Sequence, residues 1–422
     1  MIKESVYPIA AIIFTFLLNY VFHLVVARNL GPAGYGLFGA YLTIWIFLNN
    51  AFIAFQNATV IEVKQIRLLS PDDENAFISC VFFNILLISF ALSGIFYMLW
   101  PYAQKIIHHH DIISRIFYSL FIGFWIFIPV FIGTFQASGY FQAMASCIAI
   151  PYVFRLIFSL LAIFFFSAGV TGIISVMSLE LLVSIVLFFG ILMITGIQFE
   201  KFDIRIQRNV FNMIGYAFYL ILITTPLSIL MNIDVIFARY LFRSFEAGYY
   251  TTAATLGKIP VYIIVTLVSV MLPRLIQLKM KNDNWFRFLF VSLLLNTGLL
   301  LVGWLCIYGL APIVIPLLYG ENFKPAVDIL QRYGLLALCH GIFQTLIQAC
   351  MVLKLIGPQV LSAVTILIMI PFGMMHVKTS SNLIQMFIVI NAVVILETFI
   401  WVGLTQLKKR NINDNQQDAC YQ

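Results

Sequence analysis

The chain has 422 residues, 62% of them hydrophobic and 10% charged, with a formal net charge of +7 and a mean hydropathy of +1.01. Soluble domains carry about 25% charged residues, so no fold surrounded by water could hide this much apolar surface. The basic residues are scattered and no aromatic-basic motif accompanies them, which argues against nucleic acid as a partner.

Taken in chain order, apolar stretches fill the sequence at 6–27, 37–60, 77–100, 114–137, 146–166, 172–197, 213–237, 250–273, 286–311, 328–353, 359–377 and 383–407. Each is near the length of about 20 residues that carries an α-helix across a bilayer core. The first lacks a small-residue cleavage site and is long enough to span, so it reads as a membrane helix and not as a signal peptide. The longest polar interruptions, Ile61–Ala76, Phe199–Asn212, Arg274–Arg287 and the tail from Lys408, are too short to be soluble domains. The expected fold is therefore an all-α polytopic membrane protein of about 12 transmembrane helices. Five prolines, Pro129, Pro151, Pro226, Pro260 and Pro371, fall inside spans, where each removes a helix hydrogen bond and permits a kink. The six cysteines show neither CxxC nor metal-ligand spacing, so neither a metal nor a cofactor is expected.

An even number of spans puts both termini on one side. With cytoplasmic termini, the inner segments hold 14 Lys and Arg, among them Lys3, Lys64, Arg67, Lys201, Arg205, Arg208, Lys354 and Lys408–Arg410, and the outer segments hold 8. That bias orients both termini to the cytoplasm.

The chain also repeats itself. ARNLGPAGYG at Ala27–Gly36 follows the first span, and ARYLFRSFEAGYY at Ala238–Tyr250 follows the seventh, with the Ala-Arg pairs 211 residues apart. Matching positions in two six-span halves imply parallel repeats related by an axis along the membrane normal. The expected domains are an N-terminal lobe at 1–198, a cytoplasmic linker at 199–212, a C-terminal lobe at 213–407 and a tail at 408–422. The basic linker FEKFDIRIQRNVFN suits an amphipathic helix lying on the membrane.

Four segments point further: ARNLGPAGYGLFGAY after the first span, QASGYFQAMA (Gln136–Ala145) after the fourth, the Pro273–Arg274 pair closing the eighth, and PLLYGENFKPAVDILQ (Pro316–Gln331) before the tenth. In their order and spacing they resemble O-antigen and polysaccharide flippases of the multidrug/oligosaccharidyl-lipid/polysaccharide exporter superfamily. The resemblance implies two six-helix lobes around a central cavity and transport by alternating access. It implies as substrate an undecaprenyl-diphosphate-linked oligosaccharide, moved across the bacterial inner membrane for O-antigen or another surface polysaccharide. Membrane lipid, a polysaccharide polymerase and a chain-length regulator are the partners it implies. The tripled histidine His108–His110 is outside the family pattern and carries no expectation.

Several span residues are candidates for function. Arg155 sits mid-span, where a charge costs roughly 2.5–3.5 kcal/mol on insertion scales. It reads either as a cavity cation that forks onto phosphate oxygens or as the partner of Glu180 in an internal ion pair. Lys258 reads as a second cavity cation or as a snorkelling side chain. Asp234, aligned by the repeat with His23, is a candidate for ion coupling or for a local pair with Arg239 or Arg243. Glu180 and Glu397, in the last span of each half, raise the same coupling question. Arg28 and Arg239, related by the repeat, are expected at the outer interface.

The leading expectation is a flippase, with a drug or cation exporter of the same superfamily as the alternative; the two mid-span cations favour an anionic substrate. A membrane polysaccharide polymerase is a third reading, but it would resemble a pattern with a large outer loop, and no outer loop here exceeds about 16 residues. Neither a Walker A loop nor a nucleophile-base pair stands in the sequence, so no enzyme activity is expected.

Overall fold

The computed structural model describes the whole chain apart from residues 1, 198, 201–203, 282–283, 354 and 421–422, and apart from the side chains of 2–5, 204, 223–227, 266, 269–270 and 405–420. Lys201 and Lys354 of the charge comparison therefore lie outside the described residues. So do the side chains of Lys3, Lys408, Lys409, Arg410 and Pro226, and part of the expected linker.

The described residues form helices without strands: α1 (Ile2–Leu69), α2 (Glu74–Ile107), α3 (Ile112–Trp125), α4 (Phe127–Ser138), α5 (Phe141–Phe166), α6 (Val170–Ile194), α7 (Ile204–Leu241), α8 (Ser244–Gly257), α9 (Ile259–Met280), α10 (Trp285–Tyr319), α11 (Ala326–Val352), α12 (Ile356–Met374) and α13 (Ser380–Cys420). Nine helical segments among the described residues are long and apolar enough to cross a membrane. α1 is broken at Gly31 and provides two passes; α3 and α4 together make one. With α7 and the α8–α9 pair, the passes number twelve, six in each half.

The breaks have local causes. Gly31 adopts φ 63 and ψ 179, a conformation open to glycine alone, and Pro32 restarts the helix where its missing N–H costs nothing. The GPAGYG segment is thus not a loop: one residue turns the chain, and Pro32–Gly36 are already helical. Its repeat behaves alike, with α7 ending at Leu241 and the second Ala-Gly-Tyr lying in the first turns of α8. Pro129 and Pro260 stand just beyond the breaks at Ile126 and Lys258, where their rings would otherwise clash with the preceding turn. Pro151 and Pro371 remain inside continuous helices.

By its contacts the chain forms two compact units, residues 1–225 and 226–422. In the first, α1 packs on α4 and α5, α2 on α3, and α6 on α3 and α5. An aromatic cluster fills its interior, with Phe82, Phe127, Phe131 and Phe189 in mutual contact. The start of α7 belongs to this unit. Residues 204–212 are the first turns of α7, not a separate surface helix. Ile206, Val210 and Met213 are buried, and Gln207 exchanges two amide hydrogen bonds with Asn84, at 3.0 and 2.9 Å. In the second unit α11 is central, touching α8, α9, α10 and α13. At one end, Leu275, Trp285, Leu289, Cys350 and Val402 form a core. Large apolar side chains such as Phe90, Phe164, Leu222, Leu294 and Leu367 point outward, as a lipid-facing surface requires.

The tripled histidine has a structural place. The Nδ1 of His109 lies 3.0 Å from the Tyr41 hydroxyl. Beside it Asp111 caps α3 by accepting from the backbone N–H of Ile113 and Ser114, and Thr171 donates to it at 2.7 Å. Burial raises the Asp111 pKa, but these hydrogen bonds outweigh it and hold the carboxyl below its usual range.

Candidate functional site

Each unit buries one cluster of charged and polar side chains. In the first, Arg155 on α5 meets Glu180 on α6. Its Nε and Nη2 both donate to Glu180 Oε1, at 2.9 and 2.6 Å, and neither residue has any exposed surface. Five aromatic rings enclose the guanidinium. Trp45 and Tyr152 lie 4.9 Å from it, with Phe22, Phe121 and Trp125 slightly farther. Of the two readings of Arg155, this structure has the ion pair and not an open cavity, because the α5–α6 contact brings a carboxylate to the cation and the rings surround it; Nη1 and Glu180 Oε2 stay buried without hydrogen-bond partners among the described residues. Nearby, His23 Nδ1 and the Tyr35 hydroxyl lie 2.9 Å apart.

In the second unit, Asp234 on α7 accepts from the hydroxyls of Tyr333 at 2.7 Å and Tyr250 at 3.2 Å, and from Lys258 Nζ at 3.5 Å. Asp234 is fully buried and Lys258 is 6% exposed, so Lys258 neither snorkels nor faces open space. The break between α8 and α9 falls on Lys258. The residue before it, Gly257, leaves room for the Tyr333 ring, which a Cβ there would meet at 2.4 Å. The expected partners of Asp234 were Arg239 and Arg243. Arg239, five residues along α7, points to another face, Arg243 lies beyond the end of α7 as the residue before α8, and the acid meets Lys258 instead. Arg239 is buried, whereas Arg28, its repeat mate, is exposed.

Glu397 on α13 differs from the other two acids. It is half-buried and accepts from Thr365 Oγ1 at 2.8 and 3.0 Å, without a cation beside it among the described residues. Thr365 stands 210 residues after Arg155, and Glu397 stands 217 after Glu180. Thr365 and Glu397 thus lie on the fifth and sixth passes of the second half, as Arg155 and Glu180 do on those of the first.

A cavity of about 250 Å³ opens in the first unit, lined by both arms of α1 together with α3, α4 and α5. Its polar lining is Thr15, Asn19, Asn49, Gln56 and Tyr152, and no charged residue stands among the described residues that line it. The Nε1 of Trp125 donates to Asn49 Oδ1 at 2.7 Å, and Gln56 donates to Gln136 at 3.2 Å. Trp125 and Tyr152 face the cavity and also contact the Arg155 guanidinium, so they are the partition between the two. Sequence reasoning missed these amides. Their signal was present: Asn19, Asn49 and Gln56 are polar residues inside otherwise apolar spans.

Two kinds of comparison bear on this arrangement. Several solved structures share the fold over almost the whole chain. A multidrug resistance MATE family transporter of the MOP superfamily, in an inward-facing conformation, superposes with a TM-score of 0.79 at 13% identity, covering 94% of this chain and 96% of that one. The lipid II flippase MurJ, in an inward closed conformation, gives 0.74 at 17% identity, with 96% and 88% covered. A eukaryotic MATE transporter gives 0.66 at 11% identity, with 98% of each chain covered. No curated protein sequence matches. At these identities the likeness shows the fold alone. The sequence itself goes further, because the profile of the family described as polysaccharide biosynthesis protein matches residues 1–279, about two thirds of the chain. With twelve passes, a repeat in two halves and a match of that extent, the chain belongs to the polysaccharide biosynthesis protein family.

Proposed function

We propose that this protein is a flippase that moves undecaprenyl-diphosphate-linked oligosaccharide repeat units across the bacterial inner membrane by alternating access. The product is O-antigen or another surface polysaccharide, and a polymerase and a chain-length regulator act on it next. One observation carries the reading: a family of polysaccharide biosynthesis occurs here on a transporter fold shared with a lipid II flippase. Of the candidate ionisable side chains, Arg155 and Lys258 are each held by a carboxylate.

A drug or cation exporter is the second reading, favoured by the MATE transporters among the fold relatives. An organic cation calls for a carboxylate facing the transport cavity. The cavity of the first unit is lined by amides and aromatics, and Glu180 and Asp234 are neutralised by Arg155 and Lys258, which supports the sugar reading. Among the three acids, Glu397 alone has no cation beside it among the described residues, so it is the preferred site for a coupling proton or Na⁺. Arg155 and Lys258 act on the substrate only indirectly in this scheme, by holding their units together; an exchange of partners would be needed to free either for a phosphate.

Deletion of the protein tests the reading. Surface polymer should disappear while lipid-linked repeat units accumulate facing the cytoplasm. Single repeat units displayed at the surface of the deletion strain would overturn it and revive the polymerase reading.

A further inference from the structure

We infer that the cavity of the first unit is a subsite for an uncharged sugar ring, and that the carrier's diphosphate does not enter it. This inference rests on the flippase reading and specifies which part of the substrate the unit grips.

The cavity's lining decides the chemistry. A sugar hydroxyl both donates and accepts, and a carboxamide is the side chain that answers both at once. Three amides, Asn19, Asn49 and Gln56, converge from the two arms of α1. Each retains unused capacity. Asn49 spends its oxygen on Trp125, which leaves its amino group, and Gln56 spends its amino group on Gln136, which leaves its oxygen. Asn19 is half-buried in a membrane span and has no protein partner among the described residues. Its amide is therefore open on both its donor and its acceptor side to a ligand that enters the cavity. Trp125 and Tyr152 add aromatic surface of the kind on which the C–H face of a pyranose packs.

What the lining lacks excludes the diphosphate. A phosphate removed from water needs cations or several N–H donors. Arg155 lies behind the Trp125–Tyr152 partition and is already neutralised by Glu180. The volume of about 250 Å³ lies just below that of most ligand pockets, about 300–1,000 Å³. It holds one or two rings and not an entire repeat unit with its lipid.

The test uses the full chain in nanodiscs and two probes: lipid-linked repeat units extracted from a strain lacking this protein, and undecaprenyl diphosphate bearing no sugar. Asn19→Leu keeps the side-chain size, and because Asn19 has no protein partner it leaves no group unsatisfied. We expect it to weaken binding of the sugar-bearing lipid by about tenfold, the worth of one hydrogen bond, and to leave undecaprenyl diphosphate binding unchanged. Gln56→Leu repeats the measurement from the opposite arm of α1. Wild-type affinity for the sugar-bearing lipid in both variants overturns the subsite. An equal loss for both probes overturns it too, since the cavity would then hold the diphosphate. If the wild-type protein binds neither probe, the flippase reading itself fails and takes the subsite with it.

Discussion

Arg155 and Glu180 illustrate how a single pair constrains what mutation can reveal. Removing one partner of a buried ion pair leaves the other charge uncompensated, at a cost of about 3–5 kcal/mol, whereas replacing both with apolar residues of similar volume is often neutral. Arg155→Ala and Glu180→Gln should therefore each reduce membrane abundance and thermal stability. Arg155→Leu combined with Glu180→Leu should restore abundance and much of the transport. Abundance by immunoblot and surface polysaccharide by gel separate the possibilities. Transport lost in Arg155→Ala at wild-type abundance would return the guanidinium to the substrate. The sequence identified both residues but could not choose between cavity and pair. They lie 25 positions apart on consecutive spans that are apolar nearly all round, so the pattern does not say which faces meet. The enclosing rings come from Phe22, Trp45, Phe121, Trp125 and Tyr152, too scattered along the chain to be read as one group. The same limit hid Tyr333 as a partner of Asp234 from 99 residues away.

At the scale of helices, the number and order of spans were legible because apolar length is a strong signal. Their ends were less so. The GPAGYG segment has the composition of a loop, yet only Gly31 leaves the helical conformation; a glycine-proline step can reverse a helix without any intervening residues. Proline alone did not predict kinks either. Pro129 and Pro260 stand at breaks and Pro151 and Pro371 do not. At Pro260 the neighbouring residues supply the difference: Lys258 turns to Asp234 and Gly257 admits the Tyr333 ring, so the broken helix gains contacts that a straight one would lose. Nothing comparable accompanies Pro371. Residues 204–212 read as an independent amphipathic helix because they are basic. Their apolar positions Ile206 and Val210 are buried in the first unit, and the segment continues into α7.

At the scale of the molecule, the internal repeat was the most informative pattern in the sequence, since it placed a helix break just before an Ala-Gly-Tyr in each half. The 14-to-8 distribution of basic residues is the ground for proposing cytoplasmic termini. Reporter fusions at Arg208 and within the C-terminal tail should both report cytoplasm. A periplasmic signal from either would contradict the six-and-six arrangement.

The pairing of charges inside each unit has an electrical consequence. Moving one elementary charge through the membrane field is worth about 2.3 kcal/mol per 100 mV. Arg155 cancels Glu180 and Lys258 cancels Asp234, so a unit that rocks as a body drags neither pair's charge through the potential. Glu397 is the exception: no cation stands beside it among the described residues, so its charge would be offset only by a bound one. Apart from the charge of the diphosphate being carried, the voltage sensitivity that the protein itself contributes should therefore reside largely in this one carboxylate. Charge displacement recorded on a supported membrane should shrink in Glu397→Gln while surviving in the Arg155→Leu, Glu180→Leu double variant. Undiminished currents in Glu397→Gln would place the voltage sensor elsewhere in the protein.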